Sequence, residues 1–72
     1  QVEAWTNMGI TLASTGRYQE AVRCYDRALE LDPKNIDAWY KKGAALERLG
    51  RHREAARCYS KSVKVDVDHA KY

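Results

Sequence analysis

The sequence predicts an all-α fold in which four antiparallel helices form two helix-turn-helix repeats. Three observations predict it. Apolar residues recur at helical spacing, the chain matches itself when shifted by 34 residues, and turn formers are scarce, with 4 Gly and 1 Pro in 72 residues. At 44% hydrophobic and 32% charged residues, the composition is too apolar for disorder. It is also too poor in turn residues for a many-stranded β fold. A chain of this length makes one small domain, burying only about 60% of its unfolded surface.

The elements follow in chain order. Trp5, Met8, Gly9 and Leu12 stand at i, i+3, i+4 and i+7, which marks the inward stripe of a helix running roughly from Val2 to Thr15. Gly16 suits the left-handed residue that ends a helix. Ala21, Tyr25, Ala28 and Leu29 repeat the stripe from about Tyr18 to Leu31. In Asp32-Pro33-Lys34-Asn35 the proline disfavours helix at Asp32, and Asn35 is an N-cap for the third helix. Laying 2–35 on 36–69 without a gap gives twelve identities in 34 positions. Among them are Trp5 with Trp39, Gly9 with Gly43, Leu12 with Leu46, Gly16-Arg17 with Gly50-Arg51, and Arg23-Cys24-Tyr25 with Arg57-Cys58-Tyr59. The third and fourth helices therefore repeat the first and second.

Gly9 and Gly43 stand inside helices, where Gly costs about 1 kcal/mol relative to Ala. Close helix packing is the expected reason, with Gly9 facing Ala21 and Gly43 facing Ala55 while Trp5 and Tyr25 fill the wider ends. Where the second copy carries Lys42 in place of Met8, the aliphatic stem is expected to lie on apolar surface with its ammonium in water. Val67 replaces Pro33 and lets the last helix run on or fray.

Cys24 and Cys58 are expected to be free, small, partly buried hydrophobes, because equivalent positions in successive repeats stand a helix-packing distance of roughly 8–10 Å apart. His52 and His69 lie seventeen residues apart and show no zinc-ligand spacing. With no phosphate-cradling Gly loop and no arranged nucleophile, neither a metal, a cofactor nor an enzyme is expected. No stretch approaches the roughly 20 apolar residues of a membrane span. A reducing, cytoplasmic setting is the expectation that follows.

Charge is uneven. Residues 2–35 carry four Lys or Arg against five acids, a net −1, and residues 36–69 carry eight against five, a net +3. Arg51, Arg53, Arg57, Lys61 and Lys64 make the last helix basic, which suits solubility or an acidic protein partner. Nucleic acid is not expected, since only Tyr59 offers stacking among those cations.

The unit with Trp5, Met8, Gly9 and Leu12, then Ala21, Tyr25, Ala28 and Pro33, resembles the tetratricopeptide repeat, and the resemblance covers 68 of the 72 residues. It implies a right-handed α-solenoid in which the first helices of successive repeats line a concave groove that holds a peptide or helix of a partner protein. On that reading the groove face carries Glu3, Thr6, Asn7, Ile10 and Ala13 of the first helix. From the third come Asp37, Tyr40, Lys41, Ala44, Glu47 and Arg48. Lys41 and Arg48, seven apart, share one side and suit an acidic ligand. A clamp for a chaperone's terminal carboxylate is not expected, because Asp37 falls where that branch of the family needs a Lys. The rival reading is a structural spacer or oligomerisation segment without a groove ligand.

The expected units are 2–35 and 36–69, with 70–72 opening a further, truncated repeat. Gln1 is no initiator Met and nothing terminates the chain at Tyr72, so an excerpt of a longer protein is expected. Repeats usually need three or more units and a cap, so self-association is expected through the last helix, including Val63 and Val65.

Overall fold

The computed structural model describes the backbone of residues 1–70 and the side chains through Ser62. Four α-helices follow one another: α1 (Val2–Ser14), α2 (Tyr18–Leu31), α3 (Ile36–Arg48) and α4 (His52–Ala70). Among the described residues there is no strand. Helices α1 and α2 pack as one hairpin and α3 and α4 as the next; α2 packs on α3, and α1 touches α3. This is an all-α helical repeat solenoid, 39 × 28 × 17 Å along its principal axes.

Each hairpin turn is closed by the same device. Gly16 has φ +86° and Gly50 φ +82°. The Gly16 N–H donates to Ala13 O at 3.0 Å and the Arg17 N–H to Leu12 O at 2.8 Å; Gly50 and Arg51 repeat this onto Glu47 and Leu46. Glycine is favoured because the left-handed conformation strains any residue with a Cβ. Between the hairpins, Asp32 leaves the helical region at φ −144°, and Asn35 Oδ1 accepts from the Ala38 N–H at 2.9 Å. The Trp39 indole N–H donates to Pro33 O at 2.7 Å, tying the loop to α3. At the equivalent point of the second repeat Val67 has the N–H that proline lacks, and α4 continues to Ala70. Val63, Val65, Lys71 and Tyr72, on which the self-association and further-repeat expectations rest, lie outside the described residues or side chains.

The core forms two adjoining clusters. One joins Ala21, Val22 and Tyr25 of α2, Ala45 and Leu46 of α3, and Ala55 and Cys58 of α4, with Leu12 and Ala13 of α1 packed against it. The other joins Ala28, Leu29 and Ala38, with Trp5 packed against it, and Trp39 touches both. Tyr25 is 2% and Leu46 1% exposed. Complete burial of such a leucine contributes about 1.5–3 kcal/mol.

Three packing expectations need correction. The close partners of the helical glycines are tyrosine rings rather than Ala21 and Ala55. A Cβ on Gly9 would lie 2.8 Å from Tyr25 Cδ1, and one on Gly43 2.8 Å from Tyr59 Cε1. The missing side chain makes room for an aromatic face, which is larger than an alanine methyl. Met8, expected inward, is 52% exposed, since no described element packs on that side of α1. Lys42 does lay its stem inward, but its ammonium meets Asp26 Oδ1 of α2 at 2.6 Å instead of open water.

Both cysteines are free and buried. Burial pushes the Cys24 thiol up, with Glu20 adding to it. Burial likewise pushes Cys58 up, partly offset by the nearby Lys42 ammonium.

Candidate functional site

Two clefts lie between α1 and α3. The larger, about 450 Å³, is lined by Ile10, Ala13 and Ser14 of α1, Tyr18 and Tyr25 of α2, and Tyr40, Lys41, Ala44, Ala45 and Arg48 of α3. Short side chains at Ala13, Ala44 and Ala45 leave the space, and three tyrosines form its walls. The smaller, about 410 Å³, is lined by Glu3, Thr6, Asn7 and Ile10 with Asn35, Asp37 and Lys41. Ile10 and Lys41 belong to both, so the clefts form one continuous channel across the two repeats.

Helical periodicity explains which residues meet there. Asp37, Tyr40, Lys41, Ala44 and Arg48 stand at i, i+3, i+4, i+7 and i+11, one stripe of α3. Trp39, Lys42 and Leu46 lie about half a turn away and face the core and the other side of the hairpin. Ile10 is 41% and Tyr40 57% exposed, so the channel offers apolar surface to solvent. The Arg48 guanidinium lies 6.0 Å from the Tyr18 ring centroid, an arrangement that orients the cation over the upper wall.

Of the eleven residues read from the sequence onto the groove face, Glu3, Thr6, Asn7, Ile10, Ala13, Asp37, Tyr40, Lys41, Ala44 and Arg48 line the channel. Thr6, expected on the groove face, lines the smaller cleft. It is buried, and its hydroxyl donates to Val2 O at 2.9 Å, so it forms floor rather than a free hydrogen-bonding group. Glu47 lines neither cleft. Its carboxylate accepts from the Tyr59 hydroxyl at 2.9 Å, and the Tyr59 ring stands 5.5 Å from that of Tyr40. Burial and then this hydrogen bond push the Tyr59 phenol up to about 12, because both favour the neutral, donating form. Glu47 thus braces the wall that Tyr40 belongs to.

The sequence marks Tyr25 as packing and Tyr18 as the start of a helix, and places neither at the channel. Both sit on α2's core stripe, and only the crossing of α2 behind α1 and α3 brings their edges to the opening. Ser14 and Asn35 were legible only as helix end and cap. Among the described residues no group of three or more His, Cys, Asp or Glu converges as a metal site, and no helix is long and apolar enough to cross a membrane.

The profile described as "TPR repeat" matches residues 9–50, more than half of the chain. A second, described as "Tetratricopeptide repeat", matches residues 36–69. The chain is 48% identical over 33 residues to the small glutamine-rich tetratricopeptide repeat-containing protein 2 of Mycosarcoma maydis, covering 46% of this chain and 9% of that protein. The solved structure of MamA superposes with a TM-score of 0.94 at 27% identity, over 99% of this chain and 42% of that one. This chain thus spans less than half the length of either. With its paired helices, glycine-closed turns and gapless repeat, the chain belongs to the tetratricopeptide repeat family, a non-catalytic fold whose members are generally protein-interaction modules.

Proposed function

We propose that the α1–α3 channel receives an extended or helical segment of a partner protein, with acidic character, across repeats spanning 2–35 and 36–69. The observation that carries this reading is the channel's composition. Exposed Ile10 and Tyr40 offer apolar contact, Ala44 and Ala45 leave room for a ligand side chain, and Lys41 and Arg48 supply two cations without a carboxylate partner among the described residues. A ligand carboxylate between Lys41 and Arg48 would gain charge-assisted hydrogen bonds at the mouth of a partly apolar cleft. Asp37 and Glu3 at the far end give the channel a polarity, so an acidic ligand group is favoured at the Arg48 end. The free, neutral thiols suit a reducing, cytoplasmic compartment.

The spacer reading draws on the exposed outer side of α1, where Met8 is half uncovered. A pull-down from nuclease-treated lysate separates the two. The chain is compared with a Lys41→Glu, Arg48→Glu variant and with Met8→Glu, each checked for helical circular dichroism. A groove reader loses its protein partners in the first variant and keeps them in the second. If capture survives the double charge reversal and fails with Met8→Glu, the groove reading falls and the spacer reading stands.

A further inference from the structure

A third cleft, about 220 Å³, lies on the opposite side of α3 and shares no residue with the channel. It is lined by Trp39, Lys42 and Leu46 of α3 and by Glu54, Arg57, Cys58 and Lys61 of α4. Its floor is apolar: Leu46 and Cys58 are buried, and the Trp39 ring is held in place by its hydrogen bond to Pro33 O. Two ammonium groups flank that ring, Lys42 Nζ at 5.6 Å and Lys61 Nζ at 5.0 Å from its centroid.

Lys42 is committed to Asp26. Arg57 and Lys61 are exposed and have no ion-pair partner among the described residues. With Arg53 they stand at i, i+4 and i+8, so three exposed cations run along one side of α4 over about 12 Å. Like charges at this spacing repel one another. Glu54 is the one acid in the lining.

The first repeat shows how the same frame looks when its charge is answered. Arg27, the counterpart of Lys61, pairs with Glu30 at 3.4 Å, and the counterpart of Lys42 is Met8. In the second repeat the positions of Asp26 and Glu30 are taken by Ser60 and Lys64. The second copy has therefore exchanged two acids for a neutral and a basic residue. A solvated surface that only needed solubility would not require the cleft or the fixed indole beneath the cations.

From this we infer that the Trp39 cleft is a second protein-binding site, distinct from the channel, for an acidic segment of a partner. Ligand carboxylates meet Arg57 and Lys61, with Arg53 extending the contact along α4. One apolar ligand side chain seats on Trp39, Leu46 and Cys58. The cleft's volume suits one seated side chain and does not admit a whole folded element.

The test uses the two tryptophans as internal reporters. The ¹⁵N-labelled chain is titrated with a capped synthetic peptide of glutamates flanking a single leucine, and the indole N–H signals of Trp39 and Trp5 are followed. A saturable shift confined to Trp39 is expected. Arg57→Gln, Lys61→Gln, which removes both charges and leaves polar side chains, should weaken binding about tenfold, or about 1.4 kcal/mol. The Lys41→Glu, Arg48→Glu variant should leave this affinity unchanged, which separates the cleft from the channel. No shift at Trp39, equal loss in both variants, or equally tight binding of a glutamine-for-glutamate peptide would each overturn the inference. Displacement by a single-stranded oligothymidylate at lower concentration than the peptide would also overturn it, pointing to nucleic acid.

Discussion

Leu12 and Leu46 hold the same place in two aligned repeats, yet Leu12 is half-buried whereas Leu46 is 1% exposed. The same contrast runs along the two helices. Ala4 is exposed and Ala38 fully buried; Thr11 is exposed and Ala45 is 2% exposed. Helix α3 has α2 on one side and α4 on the other, while the corresponding outer side of α1 meets no described element. Its Thr11 and Thr15 turn their hydroxyls back onto Asn7 O and Leu12 O, satisfying themselves without a neighbour. Burial in a repeat protein is thus a property of a position and its neighbour together, and identical residues carry different free energies in successive copies.

The most direct way to break that comparison is to truncate both leucines. Leu46→Ala is expected to cost about 2–5 kcal/mol, in the range for a fully enclosed leucine. Leu12→Ala should cost less than half as much, because part of its surface is already in water. Urea denaturation of both variants checks this, and equal losses would show that the neighbour does not matter.

Alanine at the two helical glycines sharpens it. Gly9→Ala drives a Cβ against the Tyr25 ring, which is 2% exposed. The expected overpacking cost is about 1–3 kcal/mol, partly offset by about 1 kcal/mol of helix propensity. Gly43→Ala meets Tyr59, which is only half-buried and whose ring lies a little farther from the added Cβ. Its net effect should be close to zero. A Gly9→Ala variant that melts higher than the parent would refute the close-approach account of these residues.

The smallest effect concerns alkaline pH. Tyr59 ionises at about 12 in the folded chain, above its ordinary value of 10.0. A folded-state value raised above the unfolded one contributes stability that is fully present below pH 10 and is lost as pH rises toward 12. Buried Tyr25, Cys24 and Cys58 are shifted in the same direction, so their contributions also fall above their ordinary ranges. Tyr59→Phe should therefore flatten only part of the decline in melting temperature between pH 9 and 12. An unchanged slope would remove Tyr59 from the account.

Much of the architecture was legible from local rules. Gly16 and Gly50 marked the hairpin turns, Asp32-Pro33 the break and Asn35 the cap, because each acts through its own backbone or a few residues away. Channel residues on α3 were also legible, since a stripe at i, i+3, i+4 and i+7 needs only the helical period. Met8 was not: the pattern says that a side chain shares the apolar stripe, but not that an element stands opposite it. Tyr25 reads as core for the same reason. Thr6 falls on the groove face in the sequence, but its hydroxyl closes on the preceding turn and the residue becomes floor.

By itself the sequence determined four helices, their ends, their pairing into two equivalent hairpins and the cationic bias of the second. These depend on periodicity, capping and the 34-residue self-match, all of them short-range or internal to the repeat. Only the tertiary structure decided that Gly9 and Gly43 accommodate tyrosine rings, that Lys42 reaches Asp26, and that Arg57 and Lys61 border a cleft floored by Trp39. Those outcomes depend on which side chains meet across helices distant in the chain, and packing at the distance of a ring face is settled by all four helices at once.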